Sequence, residues 1–87
     1  MFTLFRTSSF KADFKKLSES DKEKLKSVLE RLINGEPLES KHKLHSLTGN
    51  YHGSLECHVK PDLLLIFKID NELQLVRIGS HSQLFKK

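Results

Sequence analysis

His58 stands in the run Glu56-Cys57-His58-Val59-Lys60-Pro61-Asp62, with a tight turn and an aspartate four residues after it. Arg77 stands four residues before His81 in Arg77-Ile78-Gly79-Ser80-His81, and His45 lies in a stretch that also holds His42, Lys43, Tyr51 and His52. Histidine has an unperturbed pKa of about 6.5, so it can take or give a proton near neutral pH. Arginine offers a planar fork of donors that matches a phosphate or another oxyanion. Together these residue types suit a cationic acid–base site for an anionic substrate. Metal binding is the competing use of so many imidazoles. Yet His42, His45, His52, Cys57 and His58 are irregularly spaced and no CxxC or HExxH occurs, so no metal and no cofactor is expected. There is no P-loop and no GxGxxG either.

Length and composition narrow the choice of partner. At 87 residues the chain is expected to form one domain, residues 1–87, with one modest core. A single cysteine, Cys57, excludes an internal disulfide and fits a reducing compartment, so a cytoplasmic location is expected. The longest apolar run, Leu63 to Phe67, is far shorter than the roughly 20 residues of a membrane-spanning helix, and the N-terminus lacks a signal-type apolar region. Fifteen Lys and Arg against eleven Asp and Glu give a net charge of +4. That excess favours a polyanion, because neutralising phosphates releases condensed counterions.

The elements that must position these groups are legible from periodicity. Residues 2–6 read as a short strand. Thr7, Ser8 and Ser9 offer caps for a helix whose apolar stripe is Phe10, Phe14 and Leu17. Ser20, with Glu23 three residues on, reads as the capping box of a second helix carrying Leu25, Val28, Leu29, Leu32 and Ile33, stopped by Gly35 and Pro37. From Glu36 to Gly53 no period holds, which marks a long, function-bearing connection. Strands follow at 54–59, 63–69 and 72–78, joined by Lys60-Pro61-Asp62 and Asp70-Asn71. The expected fold is α+β, in the order β-α-α-β-β-β, a small mainly antiparallel sheet with both helices on one face. Alternation puts Leu55, Cys57 and Val59 toward the helices and Glu56 and His58 on the open face, which rules Cys57 out as a nucleophile. The face of Arg77 depends on the register of the last hairpin. One helical turn in the tail would align His81 with Phe85.

The segments His45-x-Leu47-x-Gly49, His58-Val59-Lys60-Pro61-Asp62 and Arg77-x-Gly79-x-His81, closing on Leu84-Phe85, resemble the YafQ branch of the RelE-like toxins of bacterial type II toxin-antitoxin systems. The resemblance spans nearly the whole chain and implies a RelE-like fold and a metal-independent endoribonuclease that cleaves mRNA on the ribosome. It also implies a cognate antitoxin and contact with operator DNA only as the toxin-antitoxin complex. By position it assigns His45, His58, Asp62, Arg77 and His81 to catalysis and Phe85 to the substrate. Lys43 and Lys60 beside them are read as phosphate contacts. Where several relatives carry an aromatic residue after Pro-Asp, this chain has Leu63. A non-catalytic basic module that binds RNA, the ribosome or DNA is the alternative reading of the same residues.

Overall fold

Two hydroxyls start the two long helices. After strand β1 (Thr3–Arg6), the Thr7 Oγ1 accepts from the Phe10 N–H at 3.1 Å and donates to the Val76 carbonyl at 2.9 Å. One side chain thus caps α1 (Ser8–Lys15) and fastens it to the sheet. Ser18, and not Ser20, caps α2 (Glu19–Ile33), accepting from the Asp21 N–H at 3.1 Å. Ser20 already lies in the first turn of the helix, where its hydroxyl accepts from Lys24 Nζ at 3.2 Å. At the far end, Gly35 adopts φ +72° and the Glu36 and Gly35 amides donate to the Arg31 and Leu32 carbonyls, the Schellman closure that the Gly-x-Pro sequence predicts.

The computed structural model describes residues 2–85; Met1, Lys86 and Lys87, at the ends of the expected domain, lie outside the described residues. The remaining strands are β2 (His45–Ser46), β3 (Leu55–Lys60), β4 (Leu63–Asp70) and β5 (Glu72–Gly79), followed by α3 (His81–Leu84). They form one sheet in the order β1-β5-β4-β3-β2, with β1 parallel to β5 and every other pairing antiparallel. The α+β fold and the helices on one face are as the sequence reads, with two additions. The two-residue β2 and the one-turn α3 are too short to carry a period, and both exist through what they pair with or dock on.

Helices α1 and α2 bury Phe10, Leu25, Val28 and Leu32 against Cys57, Val59, Leu63, Leu65, Phe67, Leu73, Leu75 and Ile78. The opposite face of the sheet carries a second, smaller cluster. Leu64 and Ile66 of β4 are covered by Leu84 of α3, with Leu47, Tyr51 and Val76 packed around them. That is why β4 is apolar on both faces. Each such side chain contributes about 1.5–3 kcal/mol on burial, enough to hold a four-residue helix that would not persist alone.

Gly79 makes the docking sterically possible. Its φ is not positive, so its role is space and not the turn that the sequence suggests. A Cβ there would stand 2.7 Å from Gln83 Oε1 and 3.4 Å from Leu84 Cδ2. Gln83 Oε1 is already used: it accepts from the Ser80 N–H at 2.8 Å while Ser80 Oγ accepts from the Gln83 N–H, a reciprocal capping box. Gly79→Ala is therefore expected to break this cap and lower stability by about 1 kcal/mol. Gly79→Val should cost more. Urea titration checks the magnitude, and hydrogen exchange at Ser80 and Gln83 should show the loss concentrated in the tail.

Candidate active site

The open face gathers side chains from four separate segments. Glu56 and His58 point there from β3, as alternation predicts, because their cross-strand partners Ile66 and Leu64 line the same side. His45 comes from β2, directly opposite Glu56. His81 and Phe85 come from the tail, one turn apart, with the Phe85 N–H donating to the His81 carbonyl at 2.8 Å. The rings form a row: His45 to His58 at 6.3 Å between centroids, His58 to His81 at 6.1 Å, His81 to Phe85 at 5.9 Å, and Phe85 edge-on to Tyr51 at 5.9 Å. Imidazoles separated by up to 36 residues in the chain are neighbours in space.

The connection from residue 36 to 53 is a template for this row. His42 is buried, and its Nδ1 donates to the His58 carbonyl at 2.7 Å, on the edge of β3 that β2 does not reach. Lys43 then turns left-handed, φ 46°, which aims its carbonyl at His45 Nδ1, 2.7 Å away. A carbonyl only accepts, so His45 Nδ1 must carry hydrogen. On the other side of the ring, His45 Nε2 lies 3.0 Å from Glu56 Oε1. The pair is a close imidazole–carboxyl contact, an ion pair only when the imidazole is protonated. Glu56 also faces His58, Nε2 to Oε1 at 3.9 Å, and its Oε2 is buried with no hydrogen-bond partner. A carboxyl this buried and half-satisfied is costly unless it shares a proton or a charge. Sequence reasoning placed Glu56 on the right face without counting it in the site. The alternation Glu56-x-His58 was the signal.

The remaining expected residues fall around the row. Asp62, exposed at the β3–β4 turn, accepts from the His81 backbone N–H at 3.2 Å and lies 3.7 Å from His81 Nδ1, so it holds the tail and its ring together. Lys60 is ion-paired with Asp21 of α2 at 2.7 Å. Leu63 is turned into the helix-side core.

Arg77 owes its face to a bulge. Strict alternation from Leu73 and Leu75 would bury it under the helices, but Val76 is an extra residue between the pairs Phe67↔Leu75 and Ile66↔Arg77. The parity change sends Ile78 to the core and Arg77 to the open side. There its guanidinium donates to Asp13 twice, Nε to Oδ2 at 2.6 Å and Nη2 to Oδ1 at 3.1 Å. The Ile78 amide, at a stretch of β5 beyond the end of β1, donates to the same Oδ2 at 3.1 Å. Nη1 remains directed to the Tyr51 hydroxyl at 3.5 Å. The Asp13 hydrogen bonds hold the Arg77 pKa above its already high ordinary value, so the cation is permanent. Tyr51 belongs to the stretch that the sequence marked as function-bearing, whereas Asp13 is a partner that the sequence did not single out.

Among the described residues, no three His, Cys, Asp or Glu side chains are disposed to share a metal ion. Among the described residues, no helix is long and apolar enough to cross a membrane.

Residues 2–86 match the family described as the bacterial toxin of type II toxin-antitoxin system, YafQ. The mRNA interferase toxin YafQ of Escherichia coli strain K12 is 42% identical over 67 residues, covering 75% of this chain and 73% of that protein. Among solved structures, the metal-bound toxin from Helicobacter pylori is 42% identical and superposes with a TM-score of 0.88, over 98% of this chain and all of that one. The toxin fold in the E. coli DinJ-YafQ toxin-antitoxin complex is 33% identical with a TM-score of 0.86, over 97% of both chains.

Burial first, and then the neighbouring Glu56, push the Cys57 thiol up from 9.0 to about 12. The unfolded chain loses this proton near 9.0 while the folded chain keeps it to about 12. Its contribution to stability is therefore complete below pH 9.0 and disappears as pH rises through that window. Native protein at pH 8 should not react with a thiol reagent except at the rate of unfolding. Between pH 9 and 11 the urea midpoint should fall more steeply for the parent chain than for Cys57→Ala.

Proposed function

Because the chain belongs to the YafQ family of type II toxin-antitoxin toxins, we propose that it is an mRNA interferase, a single-domain endoribonuclease that cuts messenger RNA by metal-independent acid–base chemistry on the ribosome. The observation that carries this reading is the row of three imidazoles on the open face, with a permanent cation and an aromatic ring at its end. RNA supplies its own nucleophile. The ribose 2′-hydroxyl attacks the adjacent phosphorus as a base removes its proton. An acid then delivers a proton to the departing 5′-oxygen, leaving a 2′,3′-cyclic phosphate and a free 5′-hydroxyl.

His81 is the general acid in this scheme: it is the more exposed end of the imidazole row, and Asp62 beside its Nδ1 orients the ring. Both nitrogens of His45 are engaged, one by the Lys43 carbonyl and one by Glu56. That favours His58, central in the row, as the base, with His45 and Glu56 steadying it and receiving charge. Arg77 offers Nη1 toward the developing negative charge on phosphorus, Asp13 keeping the guanidinium fixed. Phe85 supplies an apolar ring for base stacking, and Lys43 a phosphate contact. The ribosome would provide the alignment of substrate that an open, shallow face does not, a contribution of several powers of ten in an entropy-limited reaction.

The partner is an antitoxin encoded beside the toxin, as the E. coli DinJ-YafQ complex illustrates for that relative. Operator DNA is a target of the complex alone, and the cell compartment is the cytoplasm. His81→Ala and His58→Ala should each lower single-turnover cleavage by about 10² to 10⁴ while binding of the programmed ribosome is retained. Parent protein should yield 2′,3′-cyclic phosphate ends and keep its rate on ribosomes when transition metals are removed by a zinc-selective chelator that leaves Mg²⁺ in place. Absence of cleavage by the parent chain with and without ribosomes would instead indicate a non-catalytic binding module.

A further inference from the structure

On the flank of the sheet, between α2 and residues 39–43, lies a groove of about 680 Å³ whose lining includes His42, His58 and Val59. Its walls carry Lys24 and Arg31 from α2, Lys41 and Lys43 from the connection, and Lys60 from the end of β3, against a single lining carboxylate, Glu39. Two of these cations are compensated: Lys60 by Asp21 and Lys41 by Glu39 at 3.6 Å. Lys24 and Lys43 form no ion pair among the described residues, and Arg31 spends one donor on the neutral Pro37 carbonyl. Lys24 and Arg31 are seven residues apart on α2, so they project from one face about 10 Å apart, with the buried Val28 between them.

We infer that this groove is a track for the phosphodiester backbone of RNA, on which Lys24, Arg31 and Lys43 hold phosphates flanking the cleaved step. The inference rests on the ribonuclease reading and extends it to residues outside the imidazole row. Uncompensated cations in a concave wall focus positive potential, and His58 belongs both to the lining of the groove and to the imidazole row. The floor is held in place. His42 ties residues 40–43 to the His58 carbonyl, so the track and the central imidazole move as one unit. The ligand chemistry is the same whether the phosphates belong to the mRNA being cut or to ribosomal RNA beside it.

The test is the double substitution Lys24→Gln with Arg31→Gln, both on the exposed side of α2. Binding is measured to a single-stranded 2′-O-methyl oligonucleotide, which cannot be cleaved, and to ribosomes without mRNA, each across a salt series. Loss of two phosphate contacts should reduce the slope of log K against log salt by about 1.4. Affinity should drop several-fold, KM for cleavage should rise, and kcat should stay within about twofold. Lys24→Arg with Arg31→Lys should restore binding, because charge and not shape is required. Weakened oligonucleotide binding assigns the track to mRNA; weakened ribosome binding alone assigns it to ribosomal RNA. Unchanged slopes and affinities for both, in protein whose parent cleaves RNA, would overturn the inference, as would an effect confined to antitoxin affinity. A parent chain that does not cleave at all would instead indict the ribonuclease reading.

Discussion

The tail's half of the open face depends on Leu84 lying on Leu64 and Ile66. A four-residue helix has no stability of its own, since nucleation consumes more conformational entropy than a single turn of hydrogen bonds returns. Burial of one leucine, a reciprocal cap between Ser80 and Gln83, and the Asp62 carboxylate on the His81 amide supply what the helix lacks. The same contact explains why β4 can be apolar on both faces at the centre of a thin sheet. His81 and Phe85 reach His58 as a consequence of packing, and their positions inherit the rigidity of the strand beneath.

The other half of the row is set by hydrogen bonds instead of packing. Lys43 adopts a left-handed backbone that an unbranched side chain tolerates at modest cost, and in return its carbonyl fixes the tautomer of His45. Glu56 then has a proton donor or acceptor on one oxygen and nothing on the other. A buried carboxyl left in that state is a strain that a folded protein retains where proton exchange is useful. His42 binds the same loop to the backbone of His58, so a main-chain anchor on β3 adds to the contacts that the His45 and His58 rings make with Glu56.

Charge is distributed with the same economy of elements. Asp13 gathers three donors, two from Arg77 and one from the Ile78 amide, and so closes the unpaired edge of β5 while steadying the cation that faces Tyr51. A partly buried pair of this kind contributes more to fixed geometry than to net stability, because desolvation of both ions offsets much of their attraction. By contrast Lys24, Arg31 and Lys43 form no ion pair among the described residues and line one groove together.

Local pattern determined a great deal. Helical periodicity defined α1 and α2 and their apolar stripes, Gly35 with Pro37 marked where α2 stops, and period-two alternation placed Glu56 and His58 opposite Cys57 and Val59. These are decided by neighbours within one turn or one strand, so the chain displays them directly. The motifs His-Val-x-Pro-Asp and Arg-x-Gly-x-His pointed to the family for the same reason. Only the tertiary structure decided the rest. A single extra residue at Val76 reverses the side on which Arg77 emerges, and no local propensity announces it. The strand at His45–Ser46 exists because Glu56 and Leu55 lie opposite, and Ser18 outcompetes Ser20 as a cap through where the first turn begins. The His45–Glu56 contact, the Asp13 clamp and the groove along α2 all join residues far apart in the chain, and such distances become contacts only when the sheet closes.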